Sequence, residues 1–347
     1  MTKSSHEAFP QLVSNAYKTI TDHSRTMPKI ESLLELGCAY CGACIAICPV
    51  SALSPRDDTP HLDKEKCTEC QLCSKICPAL NMTLIEEEKI LEAYTAKTTL
   101  SDVEKVCQDG GVVTTLLIKA LDEGIIEAAI TCGVSETEPL KPLPLISTNK
   151  QDLLSSAGSK YSLSPILSLL KEAVSKFKSI AVVGLPCHIR AIYLIKSSGL
   201  VKYSEPIKFT IGLFCMNNYP YAKFIKALRD VVGVSPDVVE KIIIRKGKLA
   251  ALCKDGSKHV VKVSKLKSYA GETCRRCPDF TAWFSDISVG SVGSEEGWTS
   301  VLIRTENGRK IFNMAVRDGM LVSKPLPESS LEAIRRLERV KRKRLQG

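Results

Sequence analysis

The order of apolar and polar positions divides the chain into a cysteine-rich front and a longer region of alternating strands and helices. Short apolar runs predict buried strands at 90–98, 125–134, 179–183 and 207–214. Between the first two runs, apolar residues at helical spacing form one face of a predicted helix: Val112, Val113, Leu116, Leu117, Ala120 and Leu121. Strands that alternate with helices predict an α/β sheet that is partly parallel.

Turn and cap residues set the boundaries of these elements. Ser101 and Glu104 have the spacing of a capping box, which predicts a helix that starts at Ser101. The glycines at 110–111 separate this helix from the next one, which Gly124 closes. Past residue 286, Asn-Gly at 307–308 and Asp-Gly at 318–319 predict hairpins and a β-rich C-terminal part.

Two stretches in the front region place four cysteines at identical offsets. "CAYCGACIAICP" begins at Cys38 and "CTECQLCSKICP" begins at Cys67. This C-x2-C-x2-C-x3-C-P spacing is that of bacterial ferredoxins, in which the fourth cysteine binds the other cluster. We therefore predict two [4Fe-4S] clusters, the first on Cys38, Cys41, Cys44 and Cys77, and the second on Cys67, Cys70, Cys73 and Cys48.

Small residues and prolines fit these two phrases. Gly42 and Ala43 would let backbone amides approach the cluster sulfides, and Pro49 and Pro78 would turn the chain away after each crossing cysteine. The front is thus a double-cluster ferredoxin module. The fold class is mixed, α+β followed by α/β, with predicted domains at 1–30 (lead segment), 31–88 (ferredoxin module), 89–325 (α/β domain) and 326–347 (basic helix or tail).

Composition supports metal-bound thiolates over disulfides. The chain of 347 residues has 15 cysteines, an odd number, and its start lacks the pattern of a signal peptide. The apolar runs are too short to cross a bilayer. We therefore expect a cytoplasmic protein that reaches the membrane only through partner subunits.

Four further cysteines suggest a third cluster. Cys187 and Cys215 follow predicted strands, and the carboxyl ends of strands are where α/β sheets bind ligands. Cys274 and Cys277 form another C-x2-C pair. We predict a third [4Fe-4S] cluster on these four residues, with a zinc ion or buried free thiols as the alternatives. The remaining cysteines have no partners at metal spacing and are interpreted as ordinary thiols: Cys107, Cys132 and Cys253.

Part of the net charge of +10 lies in the C-terminal stretch that begins at Ile334. A solvated basic helix and a docking element for an acidic partner or an anionic membrane surface are both open interpretations. As a docking element, the stretch would be dispensable for dye-linked activity. Nucleic-acid binding is not expected, because no recognition motif accompanies the charge.

Five ordered motifs carry a family resemblance: "DGGVVTTLL", "AGSKYSLSP", "VVGLPCHIRA", "IGLFCMNN" and the long "GETCRRCPDFTAWFSDISVGSVGSEEGW". Together they resemble the beta subunits of coenzyme F420 hydrogenases and dehydrogenases, over most of 94–304. With the ferredoxin module in front, the layout is similar to the electron-input subunit of the archaeal F420 dehydrogenase complex. The resemblance implies FAD, iron–sulfur clusters and oxidation of reduced coenzyme F420.

Coenzyme F420 is a hydride carrier, whereas each cluster takes one electron, so a flavin between them makes chemical sense. The resemblance places FAD in the α/β domain, near a helix start and two loops. Its predicted contacts are Gly110, Gly111, Val112, Thr114, Gly158, Ser159, Lys160, Tyr161, Gly184 and Pro186. Amides at a helix start suit a phosphate.

The anionic coenzyme itself suggests Arg275 and Arg276 as contacts, although both arginines equally suit compensation of cluster charge. The glycine-rich stretch 291–298 is either a surface beside a flat ring or a hairpin connection. His188 is either a structural residue or one that tunes flavin protonation. We assign no acid–base residue, because hydride transfer between stacked rings needs none.

Three functions remain open from the sequence. The first is oxidation of reduced coenzyme F420 for a membrane-bound, complex I-like dehydrogenase of methanogenic archaea, with methanophenazine, a quinone or ferredoxin receiving the electrons. The second is the beta subunit of an F420-reducing hydrogenase or formate dehydrogenase. The third is a polyferredoxin without an active site of its own, which would contain cluster iron but no flavin.

Overall fold

The computed structural model describes residues 30–32, 37–82 and 89–345. The predicted lead segment lies outside these residues except for its last position. The strands are β1 (Leu53–Arg56), β2 (Thr59–Leu62), β3 (Glu92–Thr98), β4 (Ala128–Val134), β5 (Pro142–Ser147), β6 (Ile180–Gly184), β7 (Ile207–Leu213), β8 (Val239–Arg245), β9 (Lys248–Cys253), β10 (Lys258–Lys262), β11 (Ile287–Gly290), β12 (Thr299–Ile303) and β13 (Leu321–Pro325).

Helices cover both faces of the main sheet and carry the cysteine motifs. They are α1 (Ala43–Ile47), α2 (Leu72–Lys75), α3 (Ser101–Val106), α4 (Val112–Asp122), α5 (Lys150–Ser155), α6 (Leu170–Lys176), α7 (Pro186–Ser197), α8 (Val201–Ser204), α9 (Tyr221–Ala227), α10 (Glu272–Arg276), α11 (Glu306–Arg317) and α12 (Glu328–Arg342). The predicted strands and the long helix after Gly111 are confirmed to within a few residues.

An eight-stranded mixed sheet organises the molecule, in the order β13-β3-β12-β11-β7-β6-β4-β5. The neighbours β4, β6, β7 and β11 run parallel, and β12 is antiparallel to both β11 and β3. Strand β3 therefore points the same way as the four parallel strands. The carboxyl ends of all five lie at one edge, where ligands of such sheets bind.

Side chains of the central strands alternate between two cores. Ile180 and Val182 of β6 face one core, and Ala181 between them faces the other. The second core packs under α4 and α11. The first core contains α7 together with residues of the ferredoxin module, among them Ala43 and Ile47. The ferredoxin module is therefore built into the body of the protein.

The C-terminal part differs from the predicted hairpins. Asn-Gly at 307–308 lies in the first turn of α11, because the Thr305 hydroxyl accepts a hydrogen bond from Gly308 N at 3.2 Å and starts a helix. Asp318 is the C-cap of that helix, not a hairpin turn. The region contributes three strands to the main sheet and two helices, α11 between β12 and β13 and α12 after β13. The predicted hairpin turns at 307–308 and 318–319 were therefore wrong, whereas 291–298 does connect the antiparallel strands β11 and β12.

Two other local predictions also need correction. Helix α3 does begin at Ser101, but Leu100 is its N-cap and no side chain caps it. The predicted capping box is absent there, and Thr98 instead accepts a hydrogen bond from Leu100 N at 3.1 Å. The antiparallel sheet β10-β9-β8 was not predicted at all.

The basic C-terminal stretch forms α12, and one of its faces is buried. Leu331, Ile334, Glu338 and Lys341 lie at helical spacing on that face. The exposed face includes Arg335 and Arg339, which pair with glutamates one heptad earlier. The stretch is therefore not a fully solvated helix, because one of its faces is buried. Docking of a partner on its exposed face stays a prediction.

Candidate iron–sulfur and flavin site

The two ferredoxin phrases adopt the same backbone turn. Tyr40 and Glu69, at matching positions, both have left-handed φ values of 48° and 51°. Gly42 and Gln71, each the N-cap of the following helix, also match, with φ values of 84° and 58°. The repeat in the sequence is therefore a repeat in conformation.

The cysteines assigned to the first cluster share one cavity. Its lining includes Cys38, Cys41 and Cys44 from the first phrase and Cys77 from the second. Cys77, the fourth cysteine of the second phrase, thus lies with the first set, as in bacterial ferredoxins. Burial raises the pKa of the Cys38 thiol to about 12, since a thiolate there has lost its water. Iron would supply the positive charge that stabilises it.

The second set is nearer to the surface. Cys70 is exposed, whereas Cys67 and Cys73 are partly buried. Both pack against the hydrophobic core that contains Cys48. The Cys48 sulfur accepts a hydrogen bond from Ala52 N at 3.2 Å. Amide-to-sulfur bonds of this kind are among the interactions that set cluster potentials.

The third set assembles from three parts of the chain. Cys187 is the second residue of α7, Cys215 follows β7, and Cys274 and Cys277 lie in and just after α10. The pKa of Cys187 is raised well above its usual value, first by burial and then by the neighbouring thiolates of Cys41, Cys215, Cys277 and Cys274. The four predicted ligands therefore act on one another electrostatically, and two of them, Cys187 and Cys215, follow the neighbouring parallel strands β6 and β7.

One contact to sulfur supports a cluster at this third set, because Asn218 N donates to the Cys274 sulfur at 3.4 Å. The Cys277 thiol donates to the Asp279 carbonyl oxygen at 3.7 Å. Among the described residues, no group of three cysteine, histidine or carboxylate side chains is arranged around one metal-ion position. The case for iron–sulfur binding therefore rests on the grouping of the cysteines and their sulfur contacts.

The C-terminal helix α12 closes this third site, which the sequence did not indicate. Lys341 is 1% exposed, and its Nζ donates to the carbonyl oxygens of Cys215 and Asp279. Arg344 donates to the carbonyl oxygens of Met216 and Cys274, both at 2.9 Å. Two basic residues of the predicted tail thus hold the loops that carry the cysteines.

Glu338 of the same helix supports the segment after Cys277. Its Oε1 accepts a hydrogen bond from Trp283 Nε1 at 2.8 Å, and its Oε2 accepts one from Phe280 N at 3.2 Å. Arg342 lies over the Trp283 ring, 4.8 Å from its centroid. The helix is therefore part of the wall of the site.

The residues predicted to contact FAD surround the edge where the parallel strands end. Ser159 N donates to Gln108 Oε1 at 3.4 Å, which joins the loop at 158–161 to the one before α4. Gly111 is the N-cap of this 11-residue helix, with φ of 67°. The first amides of such a helix lack intrahelical acceptors and carry the positive end of its dipole, so they fit a phosphate. Val112 and Thr114 lie in this first turn.

Other predicted FAD contacts have structural partners. Gly110 N donates to Thr299 Oγ1 at 3.0 Å. Lys160 Nζ donates to the carbonyl oxygens of Ser156, Ala157 and Gly158. Burial lowers the pKa of Lys160 to about 8 and raises that of Tyr161 to about 12. FAD contact at these positions stays a prediction.

His188 is a structural residue. Its Nδ1 accepts a hydrogen bond from Leu185 N at 3.0 Å, and its Nε2 lies 3.0 Å from the Ser164 carbonyl oxygen. Burial lowers its pKa to about 4. A Cβ on Gly184 would lie 2.6 Å from the His188 Cβ, so this glycine makes room for the histidine. The loop that starts with Pro186 is thereby fixed beside Cys187.

The arginines predicted to bind the coenzyme lie on α10, next to the third set. Arg275 donates to the Ser268 carbonyl oxygen at 3.2 Å and pairs with Glu272 at 3.4 Å. About half of its side chain is exposed, 49%. Arg276 also has a partner in the structure. Binding of the coenzyme by these residues stays a prediction.

A mixed α/β sheet with cysteine sets at its edge, fused to a double-cluster ferredoxin module, defines an iron–sulfur protein of the oxidoreductase type. The chain belongs to the family of coenzyme F420 hydrogenase/dehydrogenase beta subunits. Family models for the N-terminal and C-terminal parts of such subunits match residues 93–171 and 177–329, and a 4Fe-4S dicluster domain matches 29–81.

Three comparisons show how far the similarity extends. A subunit of the F(420)H(2) dehydrogenase of Methanosarcina mazei is 35% identical over 91% of this chain and 92% of its own length. The beta subunit of the coenzyme F420 hydrogenase of Methanothermobacter thermautotrophicus is 35% identical over 68% of this chain and 85% of its own. A chain of the F420-reducing [NiFe] hydrogenase complex from Methanosarcina barkeri superposes with a TM-score of 0.72 and 32% identity, over 76% of this chain and 93% of that one.

The contact between the ferredoxin module and the body predicts a steric role for Gly42. A Cβ there would lie 2.5 Å from both the Pro165 carbonyl oxygen and Ser168 N. Glycine at this position therefore allows the close packing of the module on the body, in addition to its predicted role in letting amides approach the cluster sulfides. Gly42→Ala should cost about 1–3 kcal/mol more in unfolding free energy than Gly124→Ala, because rigid backbone atoms must move.

Gly124 is the matched control, since its φ is also positive, 63°, but nothing lies within 4 Å of the position that an added methyl group would take. Both variants share the left-handed backbone strain of about 1–2 kcal/mol. Anaerobic urea unfolding, followed by loss of cluster absorbance, measures the difference. Equal midpoints for the two variants would contradict the steric role.

Proposed function

We propose that this chain oxidises reduced coenzyme F420 and passes the electrons singly through iron–sulfur clusters to a partner complex. Family membership and the ferredoxin domain support an F420-dependent oxidoreductase subunit. FAD, when bound, would accept the hydride and release its two electrons one at a time. The chain's own residues provide the phosphate site at α4 and the cysteines that hold the clusters.

The observation that carries the proposal is the row formed by the three cysteine sets. Helix α1, which carries Cys44 of the first set, contacts α7, which carries Cys187 of the third set. It also contacts α2, which carries Cys73 of the second set. Cys70 of the second set is exposed. Clusters in these positions would lead from the edge of the sheet to the surface, where a partner can receive electrons.

The layout favours a dehydrogenase-type subunit over a hydrogenase-type one. The dehydrogenase relative aligns over nearly its whole length and nearly all of this chain, whereas the hydrogenase relative covers 68% of the chain. By this analogy the partner is a membrane-bound complex, and methanophenazine, a quinone or ferredoxin is the final acceptor. No helix among the described residues is long and apolar enough to cross a membrane.

Anaerobic mixing with reduced coenzyme F420 tests the function. We expect FAD to be released on denaturation and the flavin absorbance of the native protein to bleach when the coenzyme is added. A chain that contains cluster iron but no flavin would support the polyferredoxin alternative and refute the proposal. Co-purification with a hydrogenase large subunit or with formate dehydrogenase would favour the other enzyme class.

The presence of a third cluster can be tested by the iron content of the chain. Three clusters hold about twelve iron atoms, and Cys274→Ser should lower the count to about eight while the EPR signals of the ferredoxin clusters persist. Cys107→Ser is the control, because the Cys107 thiol donates only to backbone carbonyls that a hydroxyl can also reach. Iron and acid-labile sulfide assays after anaerobic reconstitution measure this. A wild-type plateau at about eight iron atoms, with zinc on the remaining cysteines, would contradict the third cluster.

A further inference from the structure

An iron–sulfur cluster on the third cysteine set would carry a negative charge that the four cysteines do not neutralise. Four thiolates around a four-iron cluster leave a net negative charge, and reduction adds one more electron. The site lies under α12 and its four cysteines are only partly exposed, so water cannot fully solvate such a charge. A buried charge of this kind is stable only when groups of opposite charge or hydrogen-bond donors compensate it.

Lys341 places a cation at this set. Its side chain is 1% exposed, so its ammonium group has given up nearly all of its hydration. It donates to the carbonyl oxygens of Cys215 and Asp279, the second at 2.6 Å. The anions that act on it are the thiolates of Cys277, Cys215 and Cys274 and the carboxylate of Asp279. The helix thus delivers a positive charge to three of the four predicted ligands.

The carboxylates nearby have other partners. Asp279 Oδ2 accepts a hydrogen bond from Trp283 N at 3.2 Å, and Arg190, Lys341 and Arg304 all act on this carboxylate. Glu338 accepts from Trp283, Phe280 and Thr281. Three cations therefore face the single carboxylate of Asp279, which leaves positive charge from Lys341 to act on the cysteine set.

We propose that Lys341 is a positioning residue of the third cluster, which offsets the cluster's negative charge and fixes the Cys215 and Cys277 loops against each other. The proposal rests on the third cluster of the proposed function. Because a nearby positive charge favours the more negative state, Lys341 holds the reduction potential of this cluster up. That makes the cluster a better electron acceptor from the sheet edge.

Three variants separate charge from packing. Lys341→Met keeps an unbranched side chain and removes the charge, and Lys341→Arg keeps the charge. Arg336→Met is the matched control, since it makes the same charge change on an exposed position of the same helix. Each holoprotein is reconstituted anaerobically, its iron is counted, and an EPR redox titration with dithionite and mediators follows each cluster.

We expect Lys341→Met to lower the midpoint potential of the third cluster by at least about 59 mV, which is a tenfold change in its one-electron equilibrium. The two ferredoxin clusters should keep their potentials, and Lys341→Arg and Arg336→Met should resemble the wild type. Loss of only the third cluster in Lys341→Met, with retention in Lys341→Arg, would equally support the charge role.

Other outcomes overturn the proposal. An unchanged potential in Lys341→Met, or equal losses in Lys341→Met and Lys341→Arg, would mean that the side chain acts through packing or not at all. The titration uses dithionite, so its result does not depend on coenzyme oxidation. Failure of the proposed function is seen separately, as wild-type protein that does not bleach with reduced coenzyme F420 or that holds only two clusters.

Discussion

Removal of residues 334–347 is expected to empty the third cysteine site and to destabilise the chain. The deletion removes Ile334, which is 1% exposed, and with it Glu338 and Lys341 on the buried face of α12. Breaking one buried charged contact costs about 3–5 kcal/mol, and loss of a buried isoleucine side chain costs about 2–5 kcal/mol. We expect iron to fall from about twelve to about eight atoms per chain and the thermal midpoint to drop.

The control for this deletion neutralises the outer face of α12 without touching the inner one. Changing Arg335, Arg336 and Arg339 to glutamine removes exposed charges only. This triple variant should keep all its iron and its dye-linked activity. A truncated chain with full iron content and an unchanged thermal midpoint would restore the interpretation of the segment as a dispensable tail.

Cys70→Ala is expected to separate hydride arrival from electron delivery. The change deprives the second, outermost cluster of one thiolate, so that cluster is lost or incomplete. Bleaching of the flavin by reduced coenzyme F420 should keep a near-normal rate, because hydride arrival precedes every cluster in the inferred order. Delivery of electrons to the partner complex should collapse, because the exposed end of the row is missing.

Stopped-flow absorbance measures the first step, and reduction of the partner complex measures the second. Cys253→Ala is the control, because this buried cysteine of β9 lies in a different core and outside the three sets. It should change neither rate. If Cys70→Ala stopped bleaching while the flavin stayed bound, the inferred order of flavin and clusters would be wrong.

Much of the site was predictable because it follows from periodicity and spacing. The repeated phrases predict the crossing of Cys77 into the first set, and parallel neighbours explain why Cys187 and Cys215 meet. The C-x2-C pair at Cys274 completes the set. These inferences need only local pattern and the rule that parallel strands end at one edge.

The start of α11 and the role of Lys341 could not be predicted, because both depend on tertiary contacts. Asn-Gly at 307–308 starts a helix, because Thr305 caps it and Gly308 allows a close approach to the Asp286 carbonyl oxygen. Lys341 could not be distinguished from its basic neighbours, because a lysine on a buried helix face breaks the apolar pattern that marks such a face. Its role depends on which loops fold beneath the helix.

The core shared by the ferredoxin module and the α/β domain has a mechanical consequence. Ala43 and Ile47 of the module are buried against Ile189 and Leu170 of the body, and Leu167 N donates to the Cys41 carbonyl oxygen at 3.0 Å. If the ferredoxin module carried electrons by moving on a flexible linker, it would have to separate from the α/β domain and rebind. That separation would expose this apolar surface to water. The module is instead a fixed relay, so electron passage inside the chain should be insensitive to solvent viscosity, and only the encounter with the partner should slow in a viscous medium.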